Sequence, residues 1–129
     1  MKVLIDTHCW LWMLAAPERL SQAAVDLLET PENEIFLSAA SCWEIAIKHQ
    51  LGKLLLPGPP HDYVPDRMLA SGVSGLPVEV RHAVAVAELP THHRDPFDRL
   101  LIAQATLESM PILTADPQLR RYGIETIDA

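Results

Sequence analysis

The chain has 129 residues, of which 10 are basic and 17 acidic, so its formal net charge is −7. This length predicts one domain over residues 1–129 with a substantial core, and a hydrophobic content of 49% excludes a disordered chain. The negative charge argues against loose, non-specific binding of nucleic acid. It does not exclude nucleic acid as a substrate, because a basic rim or a bound metal can reverse the local sign.

The N-terminus has too short an apolar run for a signal peptide, since Asp6 follows the short apolar stretch Val3–Ile5. No stretch approaches the roughly 18 apolar residues of a membrane span. The two cysteines, Cys9 and Cys42, have no spacing typical of a disulfide framework or a metal site. We therefore expect a cytoplasmic protein with reduced thiols and no membrane partner.

Short apolar strands alternate with helical patterns along the chain. In chain order the predicted elements are strand Lys2–Ile5, helices Thr7–Ala15 and Ser21–Glu29, strand Glu34–Leu37, helices Ala40–Leu51, Asp62–Ala70, Val78–Glu88 and Pro96–Ser109, strand Ile112–Thr114, helix Pro117–Tyr122 and strand Glu125–Ile127. Short, continuously apolar strands are typical of a parallel sheet covered on both faces. The alternation predicts an α/β fold, a three-layer α/β/α sandwich around a central, mostly parallel sheet.

Four acidic residues lie where predicted strands and helices meet: Asp6, Glu44, Asp98 and Asp116. In parallel α/β folds ligands bind at the carboxyl ends of the strands, near the point where strand order reverses. Carboxylates gathered there would repel one another without a cation between them. Mg²⁺ and Mn²⁺ prefer such oxygen ligands, so the placement favours a metal site at that edge.

Each acid taken singly also fits a purely structural role at the start of a helix, where negative charge is favoured. Asp6, Asp95 and Asp116 can each cap the helix that follows. Glu44 completes a capping-box pattern with Ser41. The joint placement of the acids favours the metal site over four separate caps.

Four stretches carry a family resemblance over essentially the whole chain: KVLIDTHCWLW, LSAASCWEIAIKHQLGKL, HRDPFDRLLIAQA and PILTADPQLRRYG. With them the chain resembles the PIN-domain ribonucleases, and most closely the VapC-type toxins of bacterial toxin–antitoxin pairs. The resemblance implies a PIN-like fold and an endoribonuclease that depends on Mg²⁺, or on Mn²⁺ in its place. Asp6, Glu44, Asp98 and Asp116 match the acidic quartet that binds the metal and supports catalysis.

Further residues are candidates around this quartet. The hydroxyl of Thr114 would orient a carboxylate, or the residue is simply a threonine at a strand end. Asp95 would bind the metal through water, or would only cap its helix. Candidate RNA contacts, each with a solvated surface as the alternative, are His92, His93, Arg94 and Arg99.

The resemblance also implies partners: an RNA substrate, a cognate antitoxin protein and a second copy in a homodimer. Trp12 with Met13 is expected at such an interface, whereas Trp10 and Trp43 share helical faces with apolar residues and are expected in the core. Two alternatives to an active nuclease remain. One is a catalytically silent PIN-like module that only binds protein, and the other is a different phosphate-handling α/β protein.

Overall fold

The computed structural model describes residues 1–129 and places a five-stranded sheet at the centre of the molecule. The strands are β1 Lys2–Ile5, β2 Glu34–Ser38, β3 Ser74–Leu76, β4 Ile112–Thr114 and β5 Thr126–Asp128. The α-helices are α1 Thr7–Ala15, α2 Gln22–Glu29, α3 Ala39–Gln50, α4 Pro60–Ser71, α5 Val80–Ala85 and α6 Pro96–Glu108. Short 3₁₀ helices cover Pro17–Arg19, Val86–Glu88 and Pro117–Tyr122. None of the helices is long and apolar enough to cross a membrane.

All strand pairs are parallel, and the strand order is β3-β2-β1-β4-β5. The central strand β1 pairs with β2 in the register Ile5↔Leu37 and with β4 in the register Ile5↔Leu113. The chain builds outward from β1 to β2 and β3, then returns to the other side of β1 for β4 and β5. Strand order therefore reverses between β1 and β4, and a ligand site is expected at the carboxyl ends of these two strands.

Alternate residues of β1 face opposite sides of the sheet, as the two-residue period of a strand requires. Val3 and Ile5 belong to one buried cluster, together with Trp10 of α1. Leu4 belongs to a second cluster, which includes Ile102 of α6. Apolar layers therefore cover both faces of the sheet, and the predicted α/β/α sandwich with a parallel sheet is confirmed.

The edge strand β3 was not predicted. Its three residues Ser74–Leu76 include a glycine and only one buried side chain, so no apolar or alternating pattern marks it. Helix α4 begins at Pro60, earlier than predicted, because proline suits the first turn of a helix. It continues through Pro65, where packing of the buried Val64 outweighs the hydrogen bond that proline cannot donate.

Trp10 is fully buried as predicted, but the prediction that Trp43 lies in the core is wrong. Trp43 is 61% exposed and packs edge-to-face on Phe97 of α6, with ring centroids 5.5 Å apart. The helical face that Trp43 shares with Ile47 and Leu51 is not a core face, because Ile47 is only half-buried and Leu51 is 62% exposed. Trp12 and Met13 are both partly exposed.

Candidate metal centre at the carboxyl edge of the sheet

Asp6 follows β1 directly, and its position is fixed from three directions. Its main-chain N–H donates to the carbonyl of Leu113 on β4 at 3.0 Å. Carboxylate Oδ1 accepts from the N–H of Cys9 at 2.8 Å and caps α1, while Oδ2 accepts from the hydroxyl of Thr114. The residue is only 7% exposed. Each oxygen has two lone pairs, so each retains acceptor capacity for a further donor or a cation.

Thr114 ends β4 and connects two of the acids. Its buried hydroxyl donates to Asp6 and accepts a 3.0 Å hydrogen bond from the main-chain N–H of Asp116. Asp116 in turn accepts from the N–H of Gln118 at 2.9 Å and caps the 3₁₀ helix Pro117–Tyr122. The hydroxyl therefore holds the two acidic segments in a defined relative position across the point where strand order reverses.

Glu44 is 3% exposed and is held by donors at both carboxylate oxygens. Oε1 lies 2.8 Å from the hydroxyl of Thr7, and Oε2 lies 2.6 Å from the ammonium of Lys48. The Thr7 hydroxyl also lies 2.8 Å from that of Ser41. Because a hydroxyl has one proton, and a carboxylate is the stronger acceptor, Thr7 donates to Glu44 and accepts from Ser41.

The predicted capping box of Ser41 and Glu44 is wrong. Helix α3 begins earlier, at Ala39, and Ser38 caps it by accepting from the N–H of Ala40 at 3.0 Å. Ser41 is therefore inside the helix, where its hydroxyl supports Glu44 through Thr7 instead of the helix end. The signal was ambiguous because Ser38 and Ser41 both precede the apolar run.

Asp95 and Asp98 lie at the start of α6 and differ in environment. Asp95 is exposed and accepts from the N–H groups of Phe97 at 2.9 Å and Asp98 at 3.2 Å, so it caps the helix. Asp98 is partly buried in the first turn. The capping prediction for Asp95 is confirmed, and binding of a metal through water remains a prediction.

The acids act on one another electrostatically. Burial, followed by the negative charge around it, raises the pKa of the Asp98 carboxyl to about 7. The carboxylates responsible for the second effect are, in decreasing order, Asp95, Glu44, Asp6 and Asp116. The fold thus gathers acids from the starts of α1 and α6, the second turn of α3 and the end of β4 around Asp98. A cation among them would relieve the repulsion.

His93 lies among the acids rather than on an open basic rim. One ring or carboxylate atom from each of His93, Asp98 and Asp116 lies within 4.8 Å of the other two. The Nε2 atom of His93 is buried without a hydrogen-bond partner, 3.5 Å from Asp98 Oδ2. An orphaned buried nitrogen beside carboxylate oxygens is a donor set that fits a divalent cation.

The other candidate RNA contacts lie around this site. Arg94 is exposed and His92 packs edge-to-face on Tyr122, with ring centroids 4.9 Å apart. Arg99 donates to the main-chain carbonyls of Pro90 at 2.8 Å and Val86 at 3.2 Å. Its guanidinium therefore fixes the segment before α6, and Arg94 is the freer cation of the two.

Sequence reasoning missed the supporting roles of Thr7 and Tyr122. Thr7 follows Asp6 directly, but its partner Glu44 is 37 positions away, so no local spacing reveals the contact. The hydroxyl of Tyr122 lies 2.7 Å from Nδ1 of His93. The only sequence signal for Tyr122 is its place at the end of the helix that Asp116 caps.

Comparison with known proteins identifies the family of this chain. The family model described as PIN domain matches residues 3–125. The chain belongs to the PIN-domain family. This PIN-domain chain is 31% identical to Ribonuclease VapC22 of Mycobacterium tuberculosis over 121 residues, which are 93% of this chain and 91% of that protein. It is 45% identical to Ribonuclease VapC16 of the same organism over 75 residues, which span 53% of each protein.

Solved structures share the fold of this PIN domain. VapBC2 from Rickettsia felis, bound to a DNA fragment from their promoter, superposes with a TM-score of 0.73 at 14% identity and covers 99% of this chain and 98% of that chain. DNA-bound VapBC from Salmonella typhimurium superposes with a TM-score of 0.71 at 14% identity, with the same coverage. The predicted family and the predicted PIN-like fold are both confirmed.

Proposed function

We propose that this PIN-domain protein is an endoribonuclease that depends on Mg²⁺, or on Mn²⁺ in its place, and that it acts as the toxin of a toxin–antitoxin pair. The observation that carries the proposal is the gathering of Asp6, Glu44 and Asp116 around Asp98 at the carboxyl edge of the sheet. Two relatives that match the chain are named ribonucleases, which supports RNA as the substrate class.

Asp6, Asp98 and Asp116 would hold the cation directly, and Glu44 would act through water or orient the attacking group. When bound, the cation polarises a phosphoryl oxygen and lowers the pKa of adjacent water. Thr114 keeps Asp6 and Asp116 in register for this task. Thr7 and Lys48 hold the carboxylate of Glu44 in one orientation, so the site is preorganised before RNA arrives.

Arg94 and His92 would contact RNA phosphates beside the acids, since Arg forks match phosphate geometry. The overall charge of −7 makes such local contacts necessary, because the rest of the surface repels the RNA backbone. Structural neighbours solved as VapBC complexes support a cognate antitoxin as protein partner. A homodimer, and a cytoplasmic location without membrane contact, belong to the same proposal.

Replacement of Asp6 by Asn tests the proposal. Asn caps helices about as well as Asp, so the contact with the Cys9 N–H and the fold are retained while the charge is lost. We expect wild-type protein with Mg²⁺ to generate new ends in total cellular RNA, and the Asp6→Asn variant to generate none. Full cleavage by that variant, or by wild type in excess chelator, would contradict the proposal.

The matched control is Asp66→Asn, which removes one exposed carboxylate from α4 and should leave cleavage unchanged. If both wild type and this control fail to cleave any RNA while binding Mg²⁺ normally, the catalytically silent PIN-like module becomes the better interpretation. Circular dichroism of all three proteins would establish that the differences do not arise from unfolding.

A further inference from the structure

The two ring nitrogens of His93 differ: Nδ1 is hydrogen-bonded, whereas Nε2 has no hydrogen-bond partner. Nδ1 lies 2.7 Å from the hydroxyl of Tyr122, and the main-chain N–H of His93 donates to the same oxygen at 3.2 Å. The opposite atom, Nε2, is buried without a partner and faces Asp98. Buried polar atoms in folded proteins are almost always paired, and 3.5 Å to Asp98 Oδ2 is long for a hydrogen bond, so there is room for both atoms to share an ion.

The distances around Nε2 are those of ligands that share one ion. Two atoms that each lie roughly 2.1 Å from an ion are about 3.0 Å apart at right angles and about 4.2 Å apart when opposite. The 3.5 Å between Nε2 and Asp98 Oδ2 falls between these values. Asp116 supplies a third atom within 4.8 Å of both, so small side-chain rotations would complete the set.

Tyr122 orients the ring in the way that a ligating histidine requires. Metal-bound histidines commonly donate the second ring N–H to an oxygen, which fixes the tautomer and directs the lone pair at the ion. When Nδ1–H donates to Tyr122, the lone pair lies on Nε2, on the side of the acids; when the Tyr122 O–H donates to Nδ1 instead, Nε2–H faces Asp98. A bound cation selects the first tautomer. Arg99 donates to the same phenol oxygen at 3.3 Å and helps to fix it in place.

We infer that His93 is a nitrogen ligand of the cation held by Asp98 and Asp116, and that it shifts the preference of the site from Mg²⁺ toward divalent transition-metal ions such as Mn²⁺. This inference rests on the proposed function only in taking these acids as a cation site. Mg²⁺ is bound through oxygen atoms and retains several waters, whereas imidazole nitrogen suits transition-metal ions better. A site with His93 in it is therefore not the all-oxygen site that four acids alone would provide.

The experiment compares metal-free wild type with His93→Gln in titrations with Mn²⁺ and with Mg²⁺, followed by isothermal calorimetry. We expect the variant to lose about tenfold in Mn²⁺ affinity and less than about threefold in Mg²⁺ affinity. The Mn²⁺ complex of wild type should also show nitrogen hyperfine coupling in pulsed electron paramagnetic resonance. That coupling should disappear in the variant.

Two further variants separate ligation from structural support. His61→Gln removes an exposed ring on α4, which is not among the groups that could share the ion, and should bind Mn²⁺ as wild type does. Tyr122→Phe retains the ring of Tyr122 and removes the oxygen that orients His93, so it should weaken Mn²⁺ binding less than His93→Gln while keeping the nitrogen coupling.

Absence of nitrogen coupling in wild type would overturn the inference, as would equal losses of Mn²⁺ and Mg²⁺ affinity in His93→Gln. Nitrogen coupling in a wild-type protein that cleaves no RNA would retain His93 as a ligand and reject the nuclease. Metal-dependent cleavage of RNA together with unchanged Mn²⁺ affinity in His93→Gln would retain the nuclease and reject the ligand.

Discussion

Thr114 donates a hydrogen bond to Asp6 across 108 positions of the chain, from the end of β4 to the end of β1. Both residues are almost fully buried, so water cannot replace this contact. The same hydroxyl accepts from the main chain of Asp116. One side chain therefore sets the spacing between two proposed ligands of the cation.

Replacement of Thr114 by Val retains the shape and removes the hydroxyl. We expect the free energy of unfolding to fall by about 1–3 kcal/mol, because the partly buried Asp116 N–H loses its acceptor and the buried carboxylate of Asp6 loses a donor. Cation affinity should fall about tenfold or more, since the ligands lose their orientation. Urea unfolding and Mn²⁺ titration provide the measurements.

The control for that substitution is Thr106→Val on α6. The Thr106 hydroxyl donates to the carbonyl of Ile102 within the helix, at 2.8 Å, and makes no hydrogen bond to the acids of the candidate centre. Thr106→Val should therefore change the cation affinity little. If the two variants lose affinity equally, the hydroxyl of Thr114 has no orienting role.

Asp98 should make the metal-free protein less stable as the pH rises. Its pKa is raised from 3.8 to about 7 in the folded protein, so between these values the folded state binds more protons than the unfolded chain. Stability contributed by the protonated carboxyl is therefore present at low pH and lost as pH increases through this window. Asp98→Asn, which is neutral throughout, should remove that loss.

The measurement is urea unfolding in excess chelator at pH 5 and pH 8 for wild type and Asp98→Asn. The difference in unfolding free energy between the two proteins should move in favour of the variant at the higher pH. Parallel dependence on pH in both proteins would show that neither burial nor the surrounding carboxylates raise the pKa of Asp98.

Lys48 should contribute to stability as the counter-charge of Glu44. Replacement by Met leaves the carboxylate of Glu44 buried with only the Thr7 hydroxyl as donor. We expect a loss of about 1 kcal/mol, because the Lys48 side chain is 37% exposed and solvent screens the pair. Thermal unfolding in chelator would measure this loss of stability. The control is Lys53→Met, because Lys53 is exposed and forms no ion pair.

Added Mg²⁺ should stabilise the protein by mass action. At a free concentration about 100 times the dissociation constant, the gain is about 2.7 kcal/mol. Asp116→Asn retains the cap on Gln118 but removes one proposed ligand, so the melting temperature of this variant should respond much less. An equal rise in wild type and variant would place the bound ion elsewhere.

The order of strands and helices and the positions of the four acids could be predicted because both rest on local signals. Apolar runs mark β1, β2 and β4, and caps or prolines mark the starts of α1 and α6. The edge strand β3 could not be predicted, because its three residues carry no local strand pattern. They become a strand by pairing with β2.

The same distinction between local and distant determinants applies to the candidate site. Asp6 follows β1 directly and Asp116 lies two positions after the end of β4, so the sheet brings them together. The place of His93 depends on Tyr122, 29 positions further along the chain, and a sequence pattern of adjacent basic residues suggested an RNA contact there instead. The support of Glu44 by Thr7 is equally non-local, and only the packing of α1 against α3 reveals it.

The link between the two ends of the chain also determines when the site can exist. Thr114 is synthesised 108 positions after Asp6, and β4 must then pair with β1 before the carboxylates converge. A partly synthesised chain therefore has no complete centre. Whatever chemistry the acids perform can begin only after translation has passed Asp116 and β4 has paired with β1.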